Sequence, residues 1–189
     1  LNLGPFEQQF NENRPFFTEG TDLFSKGNLV YSRRIGGIPT YKLEDNESFT
    51  ETPNVSLINA FKISGRTNDG LGIGILNAIT EKTSTSIYNN YSGAIRKEIE
   101  PLANYNVLVL DQRFRKNSSV AFVNTNVARN GSFRDANVTA LVWDLNTKKN
   151  TYNLSGDFKY SYINGVEDKK GINSQLNFSK TSGKYRYGV

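Results

Sequence analysis

The residues best suited to do chemistry in this chain are carboxylates. Glu44, Asp45, Glu47 and Glu51 fall within one short stretch, and oxygen ligands gathered so closely could take a hard cation. Their spacing lacks the ligand positions and central glycine of an EF-hand loop, so solvated loop charge is the simpler account. A carboxylate pair could also serve glycoside hydrolysis, where the separation that matters is spatial; nothing in the sequence singles out such a pair. The chain has no histidine and no cysteine. That removes Ser-His-Asp and Cys-His nucleophile systems, the usual zinc sites and disulfides. No Walker loop is present. Gly70, Gly72 and Gly74 alternate, but they follow a turn signal and enter a strand, whereas a dinucleotide fingerprint needs a strand before it and a helix after it. They read as a turn glycine followed by small lumen residues. The expectation is a chain without catalytic, metal-binding or cofactor-binding residues.

The densest local signal runs from Phe6 to Phe24, where five phenylalanines sit among acids and a single arginine. Two accounts stand. In a docking segment, Arg14, Phe16, Phe17, Glu19 and Asp22 would be the working residues, with the Arg14 guanidinium clamping a carboxylate such as Glu19 or Asp22. In the blander account the same aromatics hold a packed entry segment, or a plug at a barrel mouth. Residues 1–27 form this segment, ahead of an antiparallel strand region at 28–189.

The elements that must carry these residues are strands. From Thr151 the chain sets Tyr152, Leu154, Gly156, Phe158, Tyr160 and Tyr162 against Asn153, Ser155, Asp157, Lys159 and Ser161. This is the period of a two-faced strand, and no helical period fits it. Ile172, Ser174, Leu176 and Phe178 repeat the pattern, and Tyr185, Tyr187 and Val189 end it. Runs 106–115, 119–129 and 137–145 alternate less cleanly, the last with Leu141 and Trp143 on one face. Runs 55–66 and 71–81, and a further strand at 28–35, bring the total to about nine. The expected fold is all-β, with antiparallel up-and-down hairpins.

Connections add topology. Thr67-Asn68-Asp69-Gly70 is a tight-turn signal, and Lys116–Ser118, Asn146–Lys149 and Thr181–Gly183 are also short. Between them lie the longer stretches 36–54, 82–103, 130–135 and 163–170. In an antiparallel meander alternate connections share an end, so all the short ones should cluster. Outer-membrane barrels show this asymmetry, and their strands of about 9–11 residues match the longer runs here. A barrel strand shows only alternate residues to lipid, so a hydrophobic content of 37% fits that class. An odd strand number that closes nothing suggests a truncated barrel, and a first residue that is not methionine suggests a processed chain or fragment. No run approaches the ~20 apolar residues of a spanning helix, and no signal peptide is visible.

Net charge is +5 and the pI about 9.3. Lysines and arginines are scattered, with Arg33-Arg34, Lys148-Lys149 and Lys169-Lys170 as pairs. No stacking platform accompanies them, so a nucleic-acid partner is not expected.

Four motifs carry a resemblance: 14–24 (RPFFTEGTDLF), 31–36 (YSRRIG), 62–67 (KISGRT) and 100–105 (EPLANY). Together they resemble an uncharacterised family of Gram-negative bacteria. Its longer members join a domain like carbohydrate-binding family nine to a large β-rich domain of unknown function. The resemblance implies cell-envelope residence and a barrel-like fold. It supplies no catalytic residues.

The function expected is a non-catalytic component of an outer-membrane β-barrel in a Gram-negative bacterium: a channel, a transporter or an envelope assembly partner. Its partners would be outer-membrane lipid, other envelope proteins or further strands. Leu141, Trp143, Tyr152, Leu154, Phe158, Tyr160, Leu176 and Phe178 are the lipid-facing candidates. The alternative is a soluble or surface-exposed β-sandwich whose tyrosine-rich face binds a glycan or a protein. A bare apolar face would favour the first.

Overall fold

A computed structural model of the chain describes residues 11–37, 39, 41–51, 53–91, 93–115 and 117–189. Among these residues the strands are β1 (Glu47–Phe49), β2 (Leu57–Arg66), β3 (Leu71–Thr80), β4 (Thr83–Asn89), β5 (Gly93–Glu100) and β6 (Ala103–Phe114). They continue with β7 (Ser118–Arg129), β8 (Asp135–Asn146), β9 (Tyr152–Asn164), β10 (Lys169–Lys180) and β11 (Tyr187–Gly188). Eight of them form one antiparallel sheet in the order β11-β10-β9-β8-β7-β6-β3-β2, and β1-β4-β5 form a second. Chain neighbours therefore pair as hairpins, except where β4 and β5 intervene between β3 and β6. The sheet is open: among the described residues no pairing joins β2 to β11.

The turns at residues 67–70, around 115 and 117, at 147–151 and at 181–186 all lie at one end of the large sheet, as the meander requires. They are tied sideways. The Gly70 carbonyl accepts from Arg113 N–H at 3.0 Å, Asn117 Nδ2 donates to the Thr147 carbonyl at 3.0 Å, and the Thr181 hydroxyl donates to the Asn150 carbonyl at 2.6 Å. Gly70 has φ +87°, and a Cβ there would stand 2.7 Å from the Arg113 carbonyl oxygen. The tight turn thus needs glycine for conformation and for space.

Directly paired residues share a face, so the register sorts the sheet. One face carries mostly small or β-branched residues, with Leu76 and Tyr105 as larger ones: Leu76 and Ala78 on β3, Tyr105, Val107 and Val109 on β6, Val123 on β7, Ala140 on β8. All are buried beneath Phe17, Leu23, Phe24, Leu29 and Ile35 of the N-terminal segment. The opposite face carries larger residues, including Leu108, Leu110, Phe122, Leu141, Phe158 and Leu176, and these are exposed. A soluble sheet with one covered face buries its larger apolar side chains. This sheet buries Leu76 and Tyr105 but leaves most of its larger apolar side chains bare.

Four expectations need correction. Residues 28–35 are not a strand. Two short helices, α1 (Pro15–Thr18) and α2 (Thr21–Phe24), lead into 3-10 turns at Lys26–Asn28 and Ser32–Arg34. Gly27 and Asn28 take φ of 67° and 52°, which no strand tolerates. Leu29 and Ile35 are apolar because they press on the sheet. The connection at 82–103 holds the β4–β5 hairpin, and that at 36–54 holds β1. Half of the stretch 163–170 is strand, leaving a turn at 165–168. Connections at the end opposite the short turns are therefore short too, apart from 81–102.

Candidate functional site

The N-terminal segment meets the sheet through a cluster of charges. Asp111 sits on β6, in the face of Val107 and Val109, with its side chain 0% exposed. Arg66 Nη2 reaches from β2 and donates to Asp111 Oδ2 at 2.6 Å. Lys26 Nζ comes from the segment to 3.2 Å from Oδ1, and Arg113 Nε lies 3.6 Å from Oδ2. Asp22 of α2 adds a second carboxylate, 4.0 Å from Arg66 and 3.7 Å from Arg113. A buried carboxylate is tolerated only when paired, and here one partner comes from the segment and two from the wall. Gly72 makes the approach possible: a Cβ there would stand 2.7 Å from Leu23 Cδ2 and 2.8 Å from Arg66 Nη2.

A second contact lies higher on β2. Lys62 Nζ donates to the carbonyls of Phe16 and Glu19, the latter at 2.7 Å, and sits 5.1 Å from the Phe16 ring centroid. A cation is well placed there, because the last carbonyls of α1 have no partner within the helix. The segment is also braced internally. Arg14 grips Glu12 with Nε at 2.9 Å and Nη2 at 2.8 Å, and donates to the carbonyls of Ser32 and Ile35, both at 2.8 Å. Its guanidinium lies 4.3 Å over Phe17. The Arg14 hydrogen bonds, helped by the Ser32 hydroxyl, hold the Glu12 carboxyl down at about 2, against an ordinary value of 4.5.

Of the five docking residues expected from sequence, Phe16 and Phe17 meet edge to face at 5.0 Å, with Phe17 in the core. Arg14 clamps Glu12, not Glu19 or Asp22. Glu19 contributes its carbonyl, and Asp22 faces wall arginines. Phe6 through Phe10 of the same run lie outside the described residues, as does Lys116 of the second turn. Lys26, Lys62, Arg66, Asp111 and Arg113 were not singled out in the sequence. Asp111 had a usable signal, as an acid following Val107 and Val109 on one face of its strand and next to Arg113 on that same face.

The loop carboxylates do not converge. Glu47 accepts from the Tyr41 hydroxyl at 2.6 Å and from the Glu44 amide at 3.2 Å, and Lys97 lies 3.4 Å away. The Tyr41 bond holds Glu47 below the usual carboxylate range, and in turn pushes Tyr41 up. Among the described residues no three metal-ligating acidic side chains come together.

Two clefts flank the segment. One of about 360 Å³ includes Glu12, Phe17, Phe24 and Lys62; another of about 400 Å³ separates Asn28 and Leu29 from Lys159, Ser161 and Asn173 on β9 and β10.

Outside, all eight lipid-facing candidates fall on the same face of the sheet. Tyr152 and Phe178 stack at 5.9 Å, and Trp143 lies over Gly156, where a Cβ would meet its ring at 2.7 Å. Leu176 is 65% exposed, Phe158 44% and Leu154 37%. No helix among the described residues is long and apolar enough to cross a membrane, which says nothing of strands.

No curated protein and no solved structure matches the chain. One family does match, over residues 1–189, and it is described as a domain of unknown function, DUF5916. An open antiparallel sheet with its own N-terminal segment packed across one face is thus the form taken here by a chain that belongs to the DUF5916 family.

Proposed function

We propose that the large sheet is a wall of an outer-membrane β-barrel in a Gram-negative envelope, with residues 11–37 folded inside it as a plug. In this reading the protein serves as a non-catalytic channel or transporter component. The observation that carries it is the bare apolar face and the way that face climbs across the strands. On β2 the outward apolar pair is Phe61 and Ile63, centred on position 62. Carried along the ladder, position 62 meets Leu76, Val107, Thr125, Val138 and then Ser161 of β9. Yet the apolar run of β9, Tyr152 to Tyr160, is centred on Gly156. The band has moved by roughly one residue per strand. With strands about 4.8 Å apart and a rise of about 3.4 Å per residue, that drift corresponds to a tilt of about 35°. Barrel strands in outer membranes tilt by about 35–45°.

The height agrees. Tyr152 to Tyr160 covers roughly 27 Å along the strand, or about 22 Å along a tilted axis, against a band of about 25 Å in known barrels. Behind it, β9 and β10 turn Asn153, Ser155, Ser161, Asn173 and Asn177 inward, as a polar lumen requires. Closure needs further strands on β2 and on the β10–β11 edge, because an open edge leaves backbone groups unpaired in lipid.

Cysteine-free as it is, the chain suits single-cysteine labelling. Leu176→Cys and Gln175→Cys place an environment-sensitive dye on opposite faces of β10. In vesicles the dye at 176 is quenched by lipid-borne quenchers and the dye at 175 by aqueous ones. If both respond alike to aqueous quencher, the barrel reading fails.

A further inference from the structure

We infer that the cleft between the plug and β9–β10 is a passage for small, uncharged, hydrogen-bonding solutes such as polyols; the inference rests on the barrel reading. The plug does not cover the lumen evenly. Its apolar anchors sit on β3, β6, β7 and β8, with Leu23 and Phe24 over Gly72 and Gly74 and Leu29 near Gly27 and Val138. Beyond Leu29 a space of about 400 Å³ opens, bounded by Asn28, Lys159, Ser161, Gly171 and Asn173. A volume of that order admits a small ligand.

The chemistry of this side differs from that under the plug. Asp22, Lys26, Arg66, Asp111 and Arg113 are gathered near the short-turn end and committed to one another. Along β9 and β10 the inward charges are Asp157 and Lys159, 3.3 Å apart and mutually neutralising, with Lys169 at the far end. Apart from Ile163 and Gly171 the rest are amides and hydroxyls, each able to donate and accept. A polyol entering here exchanges water for equivalent partners. An ion gives up hydration; a cation meets no uncompensated carboxylate on these strands and an anion only Lys169 at the far end. The residues lining the cleft include no aromatic ring that could stack on a ligand and retain it. Weak contact and transit follow, not storage.

The test uses the complete protein in phosphatidylcholine vesicles, with swelling followed by light scattering in ribitol, sodium gluconate or arginine hydrochloride. These solutes are of similar size and differ in charge. Ribitol enters about tenfold faster than either ion. Asn173→Trp fills the cleft from an inward position and cuts the ribitol rate about tenfold, whereas Ser174→Trp, next along β10 but facing outward, leaves it unchanged. Protein that floats with the vesicles but passes no ribitol, passes the ions equally fast, or ignores Asn173→Trp overturns the inference and leaves the barrel reading standing. Protein that does not float with vesicles overturns the barrel reading itself.

Discussion

Replacing Asp111 by asparagine keeps its shape and removes its charge, and should loosen the plug without disturbing the wall. The Asp111 side chain is wholly buried and holds Arg66 at 2.6 Å and Lys26 at 3.2 Å. Breaking a buried pair by removing one member costs about 3–5 kcal/mol. Arg66 and Lys26 keep 22% and 23% of their side-chain surface in water, so the lower end applies, about 2.7 kcal/mol after partial screening. Of these partners only Lys26 belongs to the N-terminal segment, so this sets an upper bound of about a hundredfold on the rise in its opening, the Arg66 share falling on the sheet. Asp22 makes the control. Its side chain is 62% exposed and its nearest cation lies at 3.7 Å, so Asp22→Asn should cost under about 1 kcal/mol, less than tenfold. Hydrogen exchange reads the difference at the amides of Ser25, Asn28 and Ile35, which donate to carbonyls inside the segment at 2.8–3.0 Å. Amides of β6 and β7 should keep their wild-type protection. Equal effects from the two variants, or an Asp111→Asn rate within threefold of wild type, would refute the assignment of Asp111 as the anchor.

Acid should act on the same segment through Glu12. Its carboxyl titrates lower when folded than when free, so its contribution is fully present above 4.5 and is lost as pH falls toward about 2. Exchange at Ile35 should therefore accelerate through that window in wild type and not in Glu12→Gln. Leu176→Arg should change thermal stability little in detergent-free buffer, since the residue is already 65% exposed, but cost about 2–4 kcal/mol in a bilayer by equilibrium unfolding. Gly156→Ala should destabilise β8–β10 by about 1–3 kcal/mol, because its Cβ would meet the Gln175 carbonyl and the Trp143 ring; the emission of Trp143, the one tryptophan, reports the displacement. A Gly27→Cys, Ala140→Cys pair should form a disulfide that pins the plug, as the built Cβ at 27 lies 3.9 Å from that of Ala140. Gel mobility with and without reductant checks it.

Legibility in the sequence followed the physics of each strand. β9 and β10 have one large apolar face and one polar face, so period two names them and sorts their residues correctly. β6 and β7 are apolar on both faces. Nothing in Val107-Leu108-Val109-Leu110 tells which pair meets the plug and which stays bare. That choice is made by residues 17–35, which lie far off in sequence and do not look like a sheet partner. The β4–β5 hairpin stayed hidden because it buries few large apolar side chains, Ile87 and Ile99 being the fully buried ones. Val30 and its neighbours looked strand-like because apolar content alone cannot distinguish a strand from a turn pressed against one. The docking account had Arg14 clamping Glu19 or Asp22; it clamps Glu12 instead, which, two residues away, closes the ring at lower entropic cost.

The plug comes before its wall in the chain, and this sets an order of assembly. Lys26 finds Ser119 93 positions later, and β8 packs on Gly27 later still. When the chain emerges N-terminus first, residues 11–37 have no surface to settle on until β3, β6, β7 and β8 have paired. Contacts this distant form slowly, since a long loop must close before they reward it. If the sheet closes into the proposed barrel, strands that curl around a waiting segment enclose it without any need to thread it through a finished pore. On that reading the interior is filled as the enclosure is built.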